Sequence, residues 1–310
     1  MSIAAVLSLA ESAAELGLIS ALTVLALFLS YTMLNVCDLS TDGCFTFGAC
    51  ISAVVAISGH PYLSILAGMG AGVLSGFVTA LLQTKMGIDS LLAGIIVNTG
   101  LYSANIAIMS GGSNLNMNKT ETVFTKMKQL LSGTFLKDQY VLIVALIAVA
   151  LTVIFLNLFL KTRLGLAIRA TGNNPAMVRS SSINPAFTTI VGLCVANAFT
   201  GLSGTLLAQS QKSVNIDIGT GMVTIALASL LIGRAFLGKG GILSQAIGAV
   251  LGSIIFRVVY TIALRFNMPA YMLRAVSSII VIFAIFLPYL KSRYPLFKRL
   301  WTHRSGQENR

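Results

Sequence analysis

The stretch KTRLGLAIRATGNNPAMVRSSSINP, Lys161–Pro185, is a polar island in an otherwise apolar chain. It carries Lys161, Arg163, Arg169 and Arg179 with no acidic residue to offset them. Apolar runs flank it, Tyr140–Leu160 before and Thr188–Ala208 after. Each is long enough to cross ~30 Å of hydrocarbon at ~1.5 Å per helical residue. The island therefore reads as a loop held at a membrane surface between two transmembrane helices. Within it, Asn174 can accept hydrogen bonds from the unpaired N–H groups that open a helix. Pro175 suits the first helical position because its missing N–H would have had no partner there. A short capped helix on a basic loop is a shape for docking a soluble partner. A basic loop that only fixes membrane orientation has the same composition, and the residues alone leave both readings open.

Composition agrees with this class. Hydrophobic residues make up 56% of the 310 and charged residues 10%, with a mean hydropathy of +0.87. Soluble domains carry roughly a quarter charged residues, so this chain could not cover itself with polar surface in water. The net charge of +12 does not point to nucleic acid, because many of the cations sit in short loops and the tail, beside membrane lipid. Cys37, Cys44, Cys50 and Cys194 lack paired metal-ligand spacing, and His60 and His303 are far apart, so no metal site is expected. The first Lys or Arg is Lys85, which leaves no basic segment for a secretory signal peptide.

Window length gives about nine crossings: Leu16–Val36, Phe45–Ser58, Tyr62–Leu82, Ser90–Met109, Tyr140–Leu160, Thr188–Ala208, Met222–Ile232, Ile242–Leu264 and Met272–Leu290. Residues 1–15 read as a surface helix leading into the first. The fold expected is an all-α polytopic bundle, one transmembrane domain over residues 1–310, with the N-terminus outside and the C-terminus in the cytoplasm. The tail, 291–310, has six Lys or Arg and one Glu. Placing it inside also places the loops at Arg234, Lys161–Arg179 and Lys85 inside, and the mixed-charge segment 110–139 outside.

Polar residues beside apolar runs are the candidates for a solute path. LNVCDLSTDGCFTFGA interrupts the first two runs with Asp38, Ser40, Thr41 and Asp42. Irregular backbone inside a bilayer is tolerated only where protein or water covers it, which suggests a cavity wall; a plain turn between helices is the alternative. Asn98, Tyr102 and Asn105 share a helical face, consistent with a path or with interhelical hydrogen bonding. Arg257 lies inside a span, either paired for function or reaching to the interface. Gly68, Gly72 and Gly76, and the pair Gly248 and Gly252, recur at four-residue spacing and allow close helix approach, within the chain or between copies. The run GRAFLGKGG, Gly233–Gly241, nearly matches a phosphate-binding loop but lacks its Ser or Thr and its strand–helix context. Nothing else resembles a catalytic constellation, so the chain is not expected to be an enzyme.

TRLG, ATGNNPA and SSIN, followed by VANAFTGLSGTLLA, resemble the coupling loop of permease subunits of bacterial ABC importers of the branched-chain amino acid and ribose type. The matching positions are Thr162, Arg163, Leu164, Gly165, Gly172, Asn173, Ala176, Ile183 and Asn184; Ser182 stands where the family usually has glycine. The run LASLLIGRAFLGKGG…GAVLGSIIFRVVYTIALRFNMPAYMLRAV, with the 34–49 segment, is similar to the branch encoded with a lipoprotein binding protein, some members linked to tryptophan or tyrosine uptake. The resemblance implies a multi-pass subunit of the bacterial inner membrane that forms the path for a small solute, with an aromatic or hydrophobic amino acid the first expectation. It further implies a second permease copy, an extracytoplasmic binding lipoprotein, and cytoplasmic ATPase subunits that use ATP and magnesium, with no cofactor in this chain. The docking loop is 161–187, with Arg163, Gly165, Gly172, Asn173, Asn174, Ala176 and Arg179 as coupling residues. The rival is an ion-coupled carrier using Asp38 or Asp42; a membrane-embedded enzyme is more remote.

Overall fold

The computed structural model describes residues 3–133, 139–238, 240–264, 275, 277–283 and 286. Helix α1, Ile3–Leu27, continues as a π-helical turn over Phe28–Met33. It is followed by α2 (Thr41–Ile57), α3 (Pro61–Thr84), α4 (Ser90–Ile108), β1 (Asn114–Asn116), α5 (Val123–Leu130) and α6 (Tyr140–Phe159). The polar loop folds as α7 (Arg163–Asn173) and α8 (Pro175–Ser180). Then come α9 (Pro185–Gln211), β2 (Ser213–Asn215), α10 (Met222–Leu237) and α11 (Ile242–Leu264).

Among the described residues, 6 helices are long and apolar enough to cross a membrane: the α1 unit from Leu9, α3, α4, α6, α9 and α11. The chain is an all-α polytopic membrane protein. Two expected spans are shorter than a crossing. Helix α2 has 17 residues and α10 has 16, so each runs roughly 25 Å, against ~30 Å of hydrocarbon. The expected span Met272–Leu290 lies largely outside the described residues, and the basic tail 291–310 lies wholly outside them. Of the separate surface helix expected for residues 1–15, the described part from Ile3 is instead the start of α1: no proline lies between Ile3 and Leu27, and Gly17 packs against Ile254 without breaking the helix.

Helix α9 is the axis of the packing, and small residues bring its neighbours close. Gly68, Gly72 and Gly76 of α3 face Thr205, Asn197 and Leu193 of α9 in antiparallel order. On α2, Gly48 meets Gly201, and the Phe45 carbonyl lies against Gly204. Helix α1 also runs antiparallel to α9: Ser203 Oγ donates to the Ile19 carbonyl at 2.6 Å, and Leu34 packs on Gly192. Gly248 and Gly252 of α11 pack on Gly233 and the Ser229 carbonyl of α10. The glycine stripes thus join helices of one chain. In lipid this close contact supplies attraction that apolar bulk cannot, because the tails outside are as apolar as the core.

Two arms share one order of elements: a long helix, an irregular segment, a short helix and a long helix. The first is α1, residues 34–40, α2 and α3; the second is α9, residues 212–221, α10 and α11. Since α1 and α9 are antiparallel, the arms run in opposite directions. At one end a two-stranded antiparallel ribbon pairs β1 with β2, Asn114 opposite Asn215. Beside it, buried Gln209 donates to Ser64 Oγ (2.7 Å) and Ser52 Oγ (3.3 Å) and accepts from Val123 N at 3.1 Å, tying α5 to the bundle.

A Cβ at Gly72 would collide with the Asn197 carbonyl, whereas one at Gly70 meets nothing within 4 Å. Gly72→Ala is expected to cost about 1–3 kcal/mol by overpacking, and Gly70→Ala to leave stability unchanged or raised. Thermal melts of the two variants in detergent check this.

Candidate functional site

The site begins where α1 fails to continue. After the π-helical turn, Asn35 takes a left-handed conformation (φ 56°) and the chain turns back into the bundle. That return places Asp38 beside Asn197, twelve residues into α9, or about 18 Å along its axis. Asp38 is 1% exposed. One carboxylate oxygen accepts from Ser40 N (2.8 Å) and Ser40 Oγ (2.6 Å), and the other from Asn197 Nδ2 at 2.7 Å. Thr79 Oγ1 donates to Ser40 Oγ at 3.2 Å, and Thr41 Oγ1 to the Asp38 carbonyl at 3.0 Å. Asp38, Ser40 and Thr41 therefore form a buried, fully engaged cluster at half the depth of the bundle.

Asp42, in the first turn of α2, reaches across to the other arm. Its two carboxylate oxygens accept from Gly221 N (2.9 Å) and Val223 N (2.8 Å), at the start of α10. Gly221 has a left-handed backbone (φ 84°) and no side chain with which to cap that helix. A carboxylate from a neighbouring helix thus satisfies the opening N–H groups and meets the positive end of the helix dipole.

Between α2, α4 and residues 216–220 lies a cavity of about 290 Å³. Its polar walls include Asp42 and Thr46 from α2, Asn98 and Asn105 from α4, and Asp217 and Thr220 from the segment after β2. Of the path candidates, the structure gathers Asp42, Asn98 and Asn105 here and sets Asp38, Ser40 and Thr41 in the adjoining buried cluster. Arg257 lies elsewhere, with Nε 3.4 Å from Ser20 Oγ of α1 and its guanidinium 5.8 Å from the Tyr260 ring. Asp217 and Thr220 escape a sequence reading because QSQKSVNIDIGTG reads only as a polar connector. The ribbon that folds it inward joins positions about a hundred residues apart, as Asn114 pairs with Asn215.

The second surface is the 161–187 loop. Three caps set its shape: Thr162 Oγ1 accepts from Gly165 N (3.2 Å), Asn174 Oδ1 from Ala176 N (3.1 Å) and Met177 N (3.2 Å), and Asn184 Oδ1 from Ala186 N (3.0 Å). Buried Val178 seats α8 on the bundle. Gly165 lies on the Phe159 carbonyl and Leu160, and Gly172 on the Met33 carbonyl and Leu34. These two glycines hold the loop to the spans, so a bulky residue at Gly172 would disturb that seat before it touched any docked partner. Arg163, Asn173, Asn174, Ala176 and Arg179 lie on the exposed side. Met177, 66% exposed, stands among them, with Leu166, Ile183 and Phe187 also exposed nearby. Sequence reasoning named Ile183 but passed over Met177, Leu166 and Phe187, because apolar character in such a chain reads as burial. Ser182, where the resembling family has glycine, takes the left-handed conformation (φ 61°) that glycine favours.

A multi-pass helical bundle with broken helices at half depth and a capped basic loop at one end has the form of a solute permease. The family described as "Branched-chain amino acid transport system / permease component" matches residues 9–285. The chain belongs to this family: it is a multi-pass bacterial inner-membrane permease of the ABC importer type, and a separate ATPase subunit hydrolyses ATP. It is similar to a tyrosine transport system permease protein of Clostridioides difficile, 32% identical over 86% of each chain. It is also similar to the guanosine ABC transporter permease protein NupQ of Bacillus subtilis, 28% identical over 56% of this chain and 57% of that one. The galactose/methyl galactoside import permease protein MglC of Escherichia coli is 28% identical over 73% of this chain and 66% of its own. No solved structure matches the chain significantly.

Removing the Asp42 cap tests the link between the arms. Asp42→Ala loses both acceptors and is expected to destabilise the bundle by about 1–2 kcal/mol, while Asp42→Asn, with one acceptor left, loses less. Melting temperatures in detergent should fall in that order.

Proposed function

We propose that this chain forms the translocation path for a small solute, an aromatic or hydrophobic amino acid, within an importer built from two copies of it. Two cytoplasmic ATPases, which use ATP and magnesium, dock at the 161–187 loops, and an extracytoplasmic binding lipoprotein delivers the solute. This chain itself holds no cofactor. The N-terminus lies outside and the C-terminus inside, which fits the Lys and Arg residues at Lys85, Lys161–Arg179 and Arg234. The segment 110–139, held to the bundle at β1 and at Val123, then faces the binding protein. Closure of the ATPases moves the loops and switches the path between its outward and inward openings.

The observation that carries this reading is the surface of α7 and α8. It is a capped, solvent-facing pair of short helices with Met177 exposed between Ala176 and Arg179, seated on the spans by Gly165 and Gly172. An apolar anchor ringed by polar and basic groups is a docking surface. The amino acid assignment leans on the tyrosine-type relative, while the guanosine and galactoside relatives mark the competing solutes. An ion-coupled carrier is disfavoured because both carboxylates are committed to structure, Asp38 to Ser40 and Asn197 and Asp42 to α10.

The experiment is mild solubilisation of tagged protein from its native membrane, followed by mass spectrometry of what stays bound. Met177→Glu and Arg179→Glu each are expected to lower recovered ATPase about tenfold, as loss of an interface hot spot does, without changing the melting temperature of the permease. ATPase recovery unchanged in both variants would overturn the docking assignment.

A further inference from the structure

We infer that the cavity between α2, α4 and residues 216–220 is a transient subsite for the protonated amine of the passing solute, a deepening that rests on the permease reading above. Three observations carry it.

The first is Asn105. It lines the cavity, is 1% exposed, and its side-chain carbonyl oxygen has no hydrogen-bond partner among the described residues. Buried acceptors are almost always paired, because an unpaired one has lost water and gained nothing. A solute carrying N–H donors supplies the missing partner.

The second is charge. Among the described residues that line the cavity, the charged side chains are two aspartates, Asp42 and Asp217, with no Lys or Arg. Asp42 already occupies the positive end of α10 through Gly221 and Val223, so that helix end is closed to an anionic group. What remains is a negative, acceptor-rich wall, suited to a cation that donates hydrogen bonds.

The third is size. About 290 Å³ is far more than the ~10–15 Å³ that admits one water, and so accommodates part of an organic solute. Tyr102, 51% exposed, lies along the same wall and adds an aromatic face suited to an ammonium group.

The test uses the complete transporter in membranes and two thiol reagents with the same reactive group and opposite charge: the ethylammonium and ethylsulfonate methanethiosulfonates. Thr220→Cys places a thiol on the cavity wall; Thr99→Cys on the α4 wall serves as a second position if the first variant does not assemble. Unsubstituted protein gives the background from its four native cysteines. With each rate divided by the same reagent's rate with a free small thiol, the ammonium reagent is expected to react about tenfold faster than the sulfonate, as charge focusing in a cleft produces. Asp217→Asn is expected to bring the two rates close together. A sulfonate rate equal to or above the ammonium rate would overturn the inference, and so would a preference indifferent to Asp217→Asn. ATP-driven uptake measured in the same membranes separates the two readings. Uptake without a cation preference sinks the subsite alone, whereas a cation preference with ATP-independent uptake sinks the importer reading.

Discussion

The structure depends on one constraint: a helix that stops inside a bilayer must find partners for the backbone groups it leaves open. Two helices begin at half depth here, α2 after the 34–40 turn and α10 after the 212–221 turn. Asp38 and Asp42 resolve the problem with opposite strategies. Asp38 stays with its own turn, accepting from Ser40, and is braced by Asn197 of the central helix. Asp42 leaves its helix and caps the one on the other arm. Two carboxylates that look like proton carriers in a sequence therefore make irregular backbone tolerable in the interior.

Close packing around α9 lets those breaks exist without collapse. Gly48, Gly68, Gly72, Gly201 and Gly204 bring the backbones of α2 and α3 into contact with α9, and Thr205 Oγ1 donates to the Gly48 carbonyl at 3.3 Å. Rigid axes on either side confine irregularity to the two turns. The polar cavity forms where α4 faces the start of α2 and the turn that precedes α10.

The fold class was legible from the alternation of apolar runs and basic loops, and the caps at Thr162, Asn174 and Asn184 follow from residue type alone. Helix lengths were not, because Phe45–Ser58 and Met222–Ile232 have the composition of spans. That each starts from inside depends on contacts across about 180 residues, such as Asp42 with Gly221. The site was half legible. Asn98 and Asn105 follow from helical periodicity, but Asp217 and Thr220 join them only through strand pairing between distant segments. Gly165 and Gly172 stand out in sequence, yet only packing reveals that they face the spans rather than the solvent.

The Asp42 cap also has a mechanical meaning. It joins two arms that run in opposite directions, at a point far from both the ribbon end and the loop end. Along α9 the same arms are joined by close packing of small residues, so the carboxylate at residue 42 adds one directed, polar tie to a seam made otherwise mostly of apolar contact.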